Sequence, residues 1–334
     1  MPILVTGCAG FIGYHTVLAL IKEGETVIGL DNLNTYYDVS LKQDRLKNLD
    51  SANFTFVKAD LAESEALDQL FAKYQPKKII HLAAQAGVRY SLKHPETYVQ
   101  SNLVGFANLL EVCRKYQVEH LVFASSSSVY GLNKKIPYSP HDAADHPVSL
   151  YAATKKSNEL MAHVYSHLYD LPCTGLRFFT VYGPFGRPDM SPYIFTNALL
   201  RDETIALFNS GQMRRDFTYI EDIVTGICKV LPKPPKRQER TAHELEDPSL
   251  STAPWGIYNI GNNQPIPLRQ FVQTLEELTG KKAKIELKPM QPGDVEATWA
   301  DTDDFSKTFG AIPHTPLQEG LREYVRWFRE YYKI

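Results

Sequence analysis

The first half of the chain alternates short apolar runs with segments long enough to form helices. Six of these runs are rich in Val, Ile, Leu and Phe, as buried strands are: 3–5, 26–30, 54–57, 78–81, 120–124 and 173–178. Between residues 98 and 116, apolar side chains recur every three or four positions and share one helical face: Val99, Leu103, Phe106, Leu110 and Cys113. This alternation predicts an α/β protein with a doubly wound parallel sheet and right-handed crossovers.

The pattern changes after about residue 182, where turn residues dominate and the elements become shorter. Two helices remain clear, over 268–279 and 317–332. A proline-rich stretch with interleaved charges, over 232–254, predicts an exposed loop without evident chemistry. We therefore expect two domains, a sheet domain formed by 1–181 and about 216–261, and a smaller mixed α/β domain formed by about 182–215 and 262–334.

The net charge and the cysteines limit the classes of partner and cofactor. A formal net charge of -2 shows no basic excess, so we expect no nucleic-acid partner. No apolar run approaches the roughly 20 residues that span a bilayer, and residues 1–5 lack the basic region of a signal peptide, which predicts a cytoplasmic protein without a membrane segment. Four isolated cysteines lack the paired spacing of a zinc or redox site, so we expect them reduced and buried, and predict no metal: Cys8, Cys113, Cys173 and Cys228.

Three glycines lie between the first predicted strand and the first helix. Gly7, Gly10 and Gly13 form a G-x-x-G-x-x-G pattern, which allows a tight turn and lets backbone amides approach a pyrophosphate at the helix N-terminus. Asp31 closes the second strand, where an acid bonds a ribose 2′-hydroxyl and repels a 2′-phosphate. A strand-end acid alone is more often just solvated. The combination predicts a Rossmann-type sheet domain that binds NAD rather than NADP.

Further candidate residues follow the third and fourth predicted strands. Asp60 and Leu61 come directly after the third strand, and residues 82–85, with the sequence Leu-Ala-Ala-Gln, come after the fourth. Ligands of open parallel sheets bind at the carboxyl ends of the strands, so we expect these residues beside the cofactor. The alternative for Asp60 is a cap on the helix that follows.

Tyr151 and Lys155 are four positions apart and therefore share one helix face. Tyrosine, with an ordinary pKa of about 10, is a poor base at neutral pH, but a neighbouring ammonium and a positive nicotinamide favour the phenolate. Such a pair is common on helices and alone means little. Here the serine run 125–128 follows the fifth strand, which lets both segments meet above the sheet. The pattern predicts an acid–base site.

These motifs together resemble the extended short-chain dehydrogenase/reductase superfamily, from residue 3 to about 325. Several strings are similar to its UDP-glucuronate 4-epimerase branch in particular: 31–34 with 36–38, 85–89, 177–184, 186–190 and 214–219. The resemblance implies that hydride passes from carbon 4 of a UDP-sugar to NAD, that the keto-sugar turns about its pyrophosphate, and that the hydride returns to the opposite face. No net oxidation results, so the expected activity is that of an isomerase.

The resemblance also implies roles for individual residues. Tyr151 is expected to act as acid and base, Lys155 to orient it and bind the nicotinamide ribose, and Ser126 to hydrogen-bond the reacting hydroxyl. The full set expected to bind NAD is Gly7, Gly10, Phe11, Ile12, Gly13, Asp31, Asn32, Asp60, Leu61, Leu82, Ala83, Ala84, Gln85, Asn102, Ser125, Tyr151 and Lys155. Substrate is expected to contact Ser126 and Tyr151 as well.

Residues 126–128 separate the related reactions. Related dehydratases carry an acidic pair here and related UDP-glucuronate decarboxylases carry a glutamate, whereas this chain has Ser127 and Ser128, which favours simple epimerisation. Oxidising glucuronate at carbon 4 gives a β-keto acid, so an epimerase has to hold the carboxylate in an unreactive rotation. Small hydroxyl donors suit that task, and the candidates are Ser127, Ser128 and Thr180. Related glucose epimerases usually carry asparagine in place of Thr180; alternatively, Thr180 only packs at a strand end.

Cations for the UDP diphosphate are expected from Arg215, which is similar to the family's R-D-[FY] position, with Arg89 and Arg187 as neighbours. Residues 291–294, with the sequence Gln-Pro-Gly-Asp, match a family string in which many relatives begin with arginine. The glutamine weakens a phosphate role there. Asp294 is still expected to bond a ribose hydroxyl of the substrate.

Three other functions remain open. The first is a UDP-glucose/galactose 4-epimerase with the same machinery, against which Thr180 and residues 36–37 speak. The second is a UDP-glucuronate decarboxylase, disfavoured by Ser128, and the third is a non-catalytic dinucleotide-binding regulator, disfavoured by the intact catalytic set. The resemblance further implies a homodimer in which the helices at about 98–116 and 151–168 pair into a four-helix bundle.

Overall fold

The computed structural model describes residues 1–291 and 294–334. Within these residues the strands are β1 (Ile3–Thr6), β2 (Val27–Asp31), β3 (Phe54–Lys58), β4 (Lys78–His81), β5 (His120–Ser126), β6 (Cys173–Phe178), β7 (Thr180–Tyr182), β8 (Thr204–Leu207), β9 (Arg214–Tyr219), β10 (Trp255–Ile260), β11 (Pro265–Pro267) and β12 (Lys284–Leu287). The α-helices are α1 (Phe11–Lys22), α2 (Val39–Lys47), α3 (Ser64–Tyr74), α4 (Pro95–Tyr98), α5 (Gly105–Lys115), α6 (Leu150–Tyr169), α7 (Ser191–Leu200), α8 (Ile220–Val230), α9 (Leu268–Thr279), α10 (Asp303–Phe309) and α11 (Leu317–Tyr332).

Seven strands form one parallel sheet in the order β10-β6-β5-β4-β1-β2-β3. Apolar side chains of α1 and α8 cover one face of this sheet, and those of α3, α5 and α6 cover the other. The order reverses between β1 and β4, the position at which such sheets bind ligands. The predicted doubly wound parallel sheet is confirmed, and each of the six predicted strands is present within two residues of its expected bounds.

The seventh strand, β10, has no counterpart among the predicted strands. It pairs in parallel with the edge strand β6, with Trp255 opposite Cys173. Gly256 and Asn259 interrupt its apolar run, so its composition does not separate it from the loop that precedes it. That loop, over 232–254, is largely exposed and contains a single short turn of 3₁₀ helix among its described residues, in agreement with the prediction.

The helix predicted over 98–116 is divided by a π-helical stretch at Val99–Val104, between α4 and α5. Phe106 is fully buried as predicted, but Val99 is 43% exposed. The prediction that Val99 lies on the buried face is wrong, because the wider π turn shifts the register between α4 and α5. The same turn directs Asn102 inward, where it is 2% exposed.

The remaining strands form a smaller α/β part. β7, β9 and β11 make a three-stranded sheet, and β8 pairs in parallel with β12. α9 and α11 have the predicted bounds and pack with α7 on an apolar core that continues under α1 and α8. Loops of this smaller part therefore reach over the carboxyl edge of the large sheet.

Three of the cysteines, Cys8, Cys113 and Cys173, are buried, whereas Cys228 is only partly buried, and all four are free thiols. None of the helices in the described ranges is long and apolar enough to cross a membrane. The same ranges bring together no group of three His, Cys, Asp or Glu side chains that could hold a metal ion.

Candidate active site

A cavity of about 390 Å³ opens at the carboxyl ends of β1, β2, β4 and β5, beside the reversal of strand order. Its far wall comes from β7, β9 and residues 294–298. The residues predicted to bind cofactor or substrate all line this cavity except Asn102 and Arg89. Pro292 and Gly293, part of the string 291–294, lie outside the described residues.

The glycine pattern forms a close backbone cradle at one end of the cavity. Gly7 has a positive φ of +71°, and a Cβ there would lie 2.7 Å from the backbone nitrogen of Ala83. A Cβ at Gly13 would collide with the carbonyl oxygen of Gly7. α1 begins directly after Gly10, and no side chain caps its first amides. Uncapped amides at a helix N-terminus bind anions, so the cradle fits the pyrophosphate of a dinucleotide.

Two strand-end acids, Asp31 and Asp60, line the same end of the cavity. Asp31 is 6% exposed and accepts a hydrogen bond from the backbone amide of Ala9 at 3.2 Å, which ties it to the glycine turn. Asp60 accepts one from the side-chain amide of Asn32 at 2.8 Å. Asp60 does not cap α3, whose N-cap residue is Glu63, but its Oδ1 accepts from the amide of Ala62 at 2.9 Å, which holds the carboxylate at the cavity wall.

Asn102 lies behind the cavity wall instead of on it. Its side chain accepts a hydrogen bond from the amide of Gln85 at 2.8 Å and donates to the carbonyl oxygen of the same residue at 3.0 Å. It also donates to Oγ1 of Thr154 on α6 at 3.0 Å. The π turn thus uses one buried amide to fix the segment after β4 against α6, a common use of such turns near functional sites.

The start of α6 places the predicted acid–base pair in the cavity. Ser149 caps the helix by accepting from the amide of Ala152 at 3.1 Å, so Tyr151 lies in the first turn and Lys155 in the second. Lys155 is 2% exposed, and its Nζ donates to the carbonyl oxygen of Ala124 in β5 at 2.9 Å. The hydrogen bond anchors the lysine to the large sheet beside the serine run.

Burial raises the pKa of Tyr151, while the charge of Arg187 and a hydrogen bond with Ser126 lower it. The sequence predicts Lys155 in that lowering role, whereas in the structure the charge that lowers the pKa of Tyr151 is that of Arg187. Burial lowers the pKa of Lys155 itself to about 8, and the carboxylate of Glu159 opposes this. Burial therefore favours the neutral form of both side chains.

An ion pair between Glu159 of α6 and Arg177 of β6 was not predicted from the sequence. Arg177 donates from Nε and Nη2 to the two oxygens of Glu159 at 2.8 and 2.9 Å. Ser125 donates to Glu159 at 2.6 Å, and the guanidinium lies 4.8 Å from the ring centre of Tyr130. The pair joins α6 to β5 and β6. Glu159 follows Lys155 by four positions, which is the sequence signal that could have identified it.

Small hydroxyl groups line the cavity next to Tyr151. Ser126, at the end of β5, accepts a hydrogen bond from Oγ of Ser128 at 2.9 Å. Ser127 and Thr180, the first residue of β7, line the same cavity. These side chains supply neutral donors from two directions, the sheet end and the smaller part of the protein.

A second arginine–carboxylate pair, Arg187 with Asp189, borders this region. Nε of Arg187 donates to Oδ1 of Asp189 at 3.0 Å, and the hydroxyl of Tyr36 donates to Oδ2 at 3.0 Å. The side chains of the pair are 22% and 25% exposed. Since the charge of Arg187 lowers the pKa of Tyr151, this cation lies at the Tyr151 end of the cavity.

Arg215 and Asp294 line the far wall of the cavity. Nη1 of Arg215 donates to the carbonyl oxygens of Arg214 at 2.9 Å and Glu296 at 3.2 Å. Nη2 of Arg89 lies 3.0 Å from Oδ2 of Asp294, just behind the cavity wall. Two cations and one carboxylate therefore stand together at the end opposite the glycine cradle.

Comparison with known proteins identifies the relatives of this arrangement. Residues 3–245 match the model of the NAD dependent epimerase/dehydratase family. The chain belongs to this family. Its similarity to a protein named probable UDP-glucuronate 4-epimerase of Rhizobium meliloti (strain 1021) is 47% identity over 335 residues, covering 100% of this chain and 98% of the relative. The resemblance inferred from the motifs is thereby confirmed.

Solved structures show the same architecture. A UDP-glucuronic acid 4-epimerase from Bacillus cereus, in complex with UDP-glucuronic acid and NAD, superimposes with a TM-score of 0.88 at 32% identity, covering 99% of this chain and 100% of that chain. A UDP-glucose 4-epimerase from Thermotoga maritima with UDP-glucose superimposes with a TM-score of 0.85 at 31% identity, again covering 99% and 100%. The fold is therefore shared by epimerases of both sugars, and the side chains have to distinguish them.

Several cavity residues of this family member were missed by the sequence analysis. Lys42 of α2, Tyr138 and Thr298 line the cavity without having been assigned a role. Their positions depend on how distant segments meet: the amide of Tyr138, for example, donates to the carbonyl oxygen of Trp299 at 2.7 Å. Such contacts leave no periodic signal in the sequence.

Proposed function

We propose that the protein is an NAD-dependent isomerase that converts UDP-glucuronate to UDP-galacturonate by epimerisation at carbon 4. The observation that carries this proposal is the set of hydroxyls of Ser127, Ser128 and Thr180 around the Tyr151 end of the cavity, with Arg187 as the nearby cation. The Rhizobium meliloti relative and the Bacillus cereus structure described above support the same substrate.

NAD is proposed to lie along the glycine cradle and the strand ends, on the residues assigned to it from the sequence. Bound NAD would accept the hydride from carbon 4 of the sugar and return it. The cradle would supply amide donors for the pyrophosphate, and Asp31, at the end of β2 in the same cavity, would hydrogen-bond the adenosine ribose. Asn102 acts indirectly, by fixing Gln85 at the wall.

Tyr151 is proposed to take the proton of the 4-hydroxyl and to give it back after the sugar has turned. Ser126 hydrogen-bonds the reacting hydroxyl and holds it near the phenol oxygen. Lys155, whose Nζ donates to the carbonyl oxygen of Ala124, supplies a positive charge from the side of the large sheet. A tyrosine in this partly buried position needs such charges, because burial alone favours the neutral phenol.

The keto intermediate of a uronate is a β-keto acid, which loses carbon dioxide when its carboxylate bond aligns with the ketone. Ser127, Ser128 and Thr180 are proposed to hold the carboxylate out of that alignment. Hydroxyl donors do this without adding a like charge, and hydrogen bonds to a charged group are worth about 1.5–3 kcal/mol each. Arg187 adds a cation at the same end of the cavity.

The UDP portion is proposed to lie on the far wall. Arg215 is half-buried and presents a planar fork suited to a diphosphate. Asp294 bonds a ribose hydroxyl, and Arg89 positions Asp294 through their ion pair. With its diphosphate and its ribose held in this way, the UDP portion would stay in place while the sugar turns.

The test is direct. The purified protein is incubated with UDP-glucuronate, and the products are identified by NMR; we expect UDP-galacturonate and no pentose product. A matched incubation with UDP-glucose tests the alternative, a UDP-glucose/galactose 4-epimerase, which the Thermotoga maritima structure supports through its fold. Equal turnover of both sugars would contradict the uronate assignment, and a pentose product alone would identify a decarboxylase.

We also infer a homodimer in which α6 and the helical stretch at about 98–116 pair into a four-helix bundle. α6 exposes Leu160, Val164 and Leu168 at 59%, 48% and 61%, and Val99 and Val104 of the π stretch are exposed as well. Apolar side chains spaced by four form one stripe, which supports helix pairing. Sedimentation equilibrium tests this, with Val164→Glu expected to shift the protein toward monomer.

Two further assignments accompany the proposal. The chain is proposed to divide into an NAD-binding domain, 1–181 with about 216–261, and a UDP-sugar domain, about 182–215 with 262–334. The strands of the large sheet fall within the first division, which supports it, while β7 and β9 of the smaller sheet cross its boundaries. A cytoplasmic location is supported by the free cysteines and by the use of NAD.

A further inference from the structure

Lys42 is a buried cation at the coenzyme end of the cavity, and the mechanism above does not use it. Only 6% of its side chain is exposed, and lysine is rarely buried to this extent unless it is paired. Its Nζ donates to Oδ1 of Asn34 at 2.9 Å and lies 3.7 Å from Oδ1 of Asp31. The three side chains all line the cavity. A lysine is thus already present beside the acid that faces the adenosine ribose.

The carboxylate of Asp31 is held from several sides. Its Oδ2 accepts from the amide of Ala9 at 3.2 Å and its Oδ1 from the amide of Leu33 at 2.8 Å, with Lys42 next to Oδ1. Burial lowers the pKa of Lys42, and Asp31 is the strongest group opposing that change. The two side chains therefore compensate each other's charge inside the cavity wall.

The neighbouring cation, Arg45, is not free to serve in the same way. Its Nη1 donates to the carbonyl oxygen of Ala9 at 2.8 Å and its Nη2 to that of Phe185 at 2.6 Å. Arg45 joins the glycine turn to the loop that carries Arg187, away from the cavity lining. Lys42 is consequently the cation that a ligand at the ribose can reach.

We propose that Asp31 and Lys42 together set the coenzyme preference, and that Lys42 is a latent ligand for the 2′-phosphate of NADP which Asp31 holds neutralised. Rossmann-type sites for NAD carry an acid at the 2′-hydroxyl, and sites for NADP carry a cation at the 2′-phosphate. This protein carries both groups in contact. Removing the charge of Asp31 is then enough to admit NADP, without introducing a new cation. The proposal rests on the NAD binding proposed above.

The test compares the wild type with Asp31→Asn, Lys42→Met and the double variant. Each protein is purified, its bound nucleotides are released by denaturation, and NAD(H) and NADP(H) are separated by chromatography. We expect the wild type to release NAD(H), and Asp31→Asn to carry at least a ~tenfold larger share of NADP(H), as a regained charge-assisted bond predicts. The double variant should return to the wild-type share.

A second measurement tests the same site with ligands that lack the nicotinamide half of the coenzyme. Binding of 2′,5′-ADP and of ADP is followed by displacement of bound nucleotide, in Asp31→Asn and, should that variant fold poorly, in Asp31→Ser. Preference for 2′,5′-ADP should appear with the loss of Asp31 and disappear with the additional loss of Lys42.

Equal NADP shares in Asp31→Asn and the double variant, with wild-type NAD retained, would overturn the role of Lys42. That result would leave the proposed function intact. A wild type that releases no nicotinamide nucleotide and takes up none from solution would instead contradict the proposed function. The two failures are therefore distinguishable in one set of purifications.

Discussion

The two ends of the substrate site are built in different ways. At the Tyr151 end, Lys155 hydrogen-bonds the main chain of β5, and Tyr151 lies in the first turn of α6, which Ser149 caps, so the large sheet anchors the lysine and the helix cap positions the tyrosine. At the UDP end, Arg89 and Asp294 meet in an ion pair whose side chains are 53% and 16% exposed. The first end is held by buried main-chain contacts and the second by side chains that water reaches. We infer that the end with Tyr151 and Lys155, which we call the sheet end, controls turnover. The end with Arg89 and Asp294, which we call the loop end, controls binding.

The same difference separates the two arginine–carboxylate pairs near the cavity. Arg177 and Glu159 are 4% and 2% exposed and join α6 to the sheet, whereas Arg187 and Asp189 are 22% and 25% exposed and border the cavity. Both pairs are close and well directed. Only the second can exchange its internal partner for a bound anion, because the first lies beneath the helix, away from the cavity lining.

Replacing Tyr151 by phenylalanine tests the sheet end most strongly. We expect kcat to fall by about 10²–10⁴-fold, the usual loss on removing a general acid or base. Binding of the UDP-sugar should stay near the wild-type value, since the hydroxyl is needed in the chemical step. Turnover by NMR and binding by calorimetry check the two parts. A phenylalanine variant with wild-type turnover would contradict the mechanism.

Glu159→Gln and its matched control Asp189→Asn test the two ion pairs. Loss of one charge from the buried pair leaves Arg177 uncompensated and should lower the free energy of unfolding by about 3–5 kcal/mol. Asp189→Asn should cost clearly less, because water reaches its arginine. Denaturant unfolding of both variants gives the comparison. Equal destabilisation would show that the two pairs are not different in kind.

Glu159→Gln should also alter the pH dependence of the reaction. Glu159 raises the pKa of Lys155, which burial holds at about 8. If the charged lysine assists Tyr151, wild-type activity falls as pH rises through that pKa, and without Glu159 the fall begins at a lower pH. Initial rates across the alkaline range measure this shift. An unmoved alkaline limb would restrict Glu159 to a structural role.

The next largest effect concerns product partitioning, which is tested at the Tyr151 end of the site. In a triple variant, Ser127→Ala, Ser128→Ala and Thr180→Val, the keto intermediate can rotate its carboxylate into alignment with the ketone. Each lost hydrogen bond to a charged group is worth about 1.5–3 kcal/mol, so the ratio of decarboxylation to epimerisation should rise ~tenfold or more. NMR of the products and absorbance of NADH measure it. Slower epimerisation without extra decarboxylation would mean that these hydroxyls only bind substrate.

The contrast between the two ends also explains what the sequence could predict. Gly7, Asp31 and the serine run lie at the carboxyl ends of buried strands. The pattern of strands along the sequence therefore places them at one edge of a parallel sheet. Tyr151 and Lys155 share a helix face by spacing alone. These residues were found because local patterns determine where they lie.

Other features depend on contacts between distant segments. Tyr36 reaches Asp189 across the mouth of the cavity, and β10 joins the sheet only after a long exposed loop. The π turn places Val99 at the surface. The prediction missed this because hydrophobic periodicity assumes an undisturbed α-helix. The sequence analysis assigned no role to Lys42, and only the fold shows that it is buried beside Asp31.

Arg89→Ala is expected to give the smallest effect and tests the loop end alone. The Arg89 side chain is 53% exposed and touches the substrate site only through Asp294, so the ion pair is well screened. Exposed pairs contribute about 0.2–1 kcal/mol, which corresponds to a rise of KM for the UDP-sugar of up to roughly fivefold. kcat should not change, since the sheet end that holds Tyr151 and Lys155 is untouched. Steady-state kinetics at two salt concentrations separates the two constants, and the difference in KM should shrink at high salt, as it does for screened charges. A large fall in kcat would show that the loop end also positions the reacting sugar, and the division between the two ends would then be wrong.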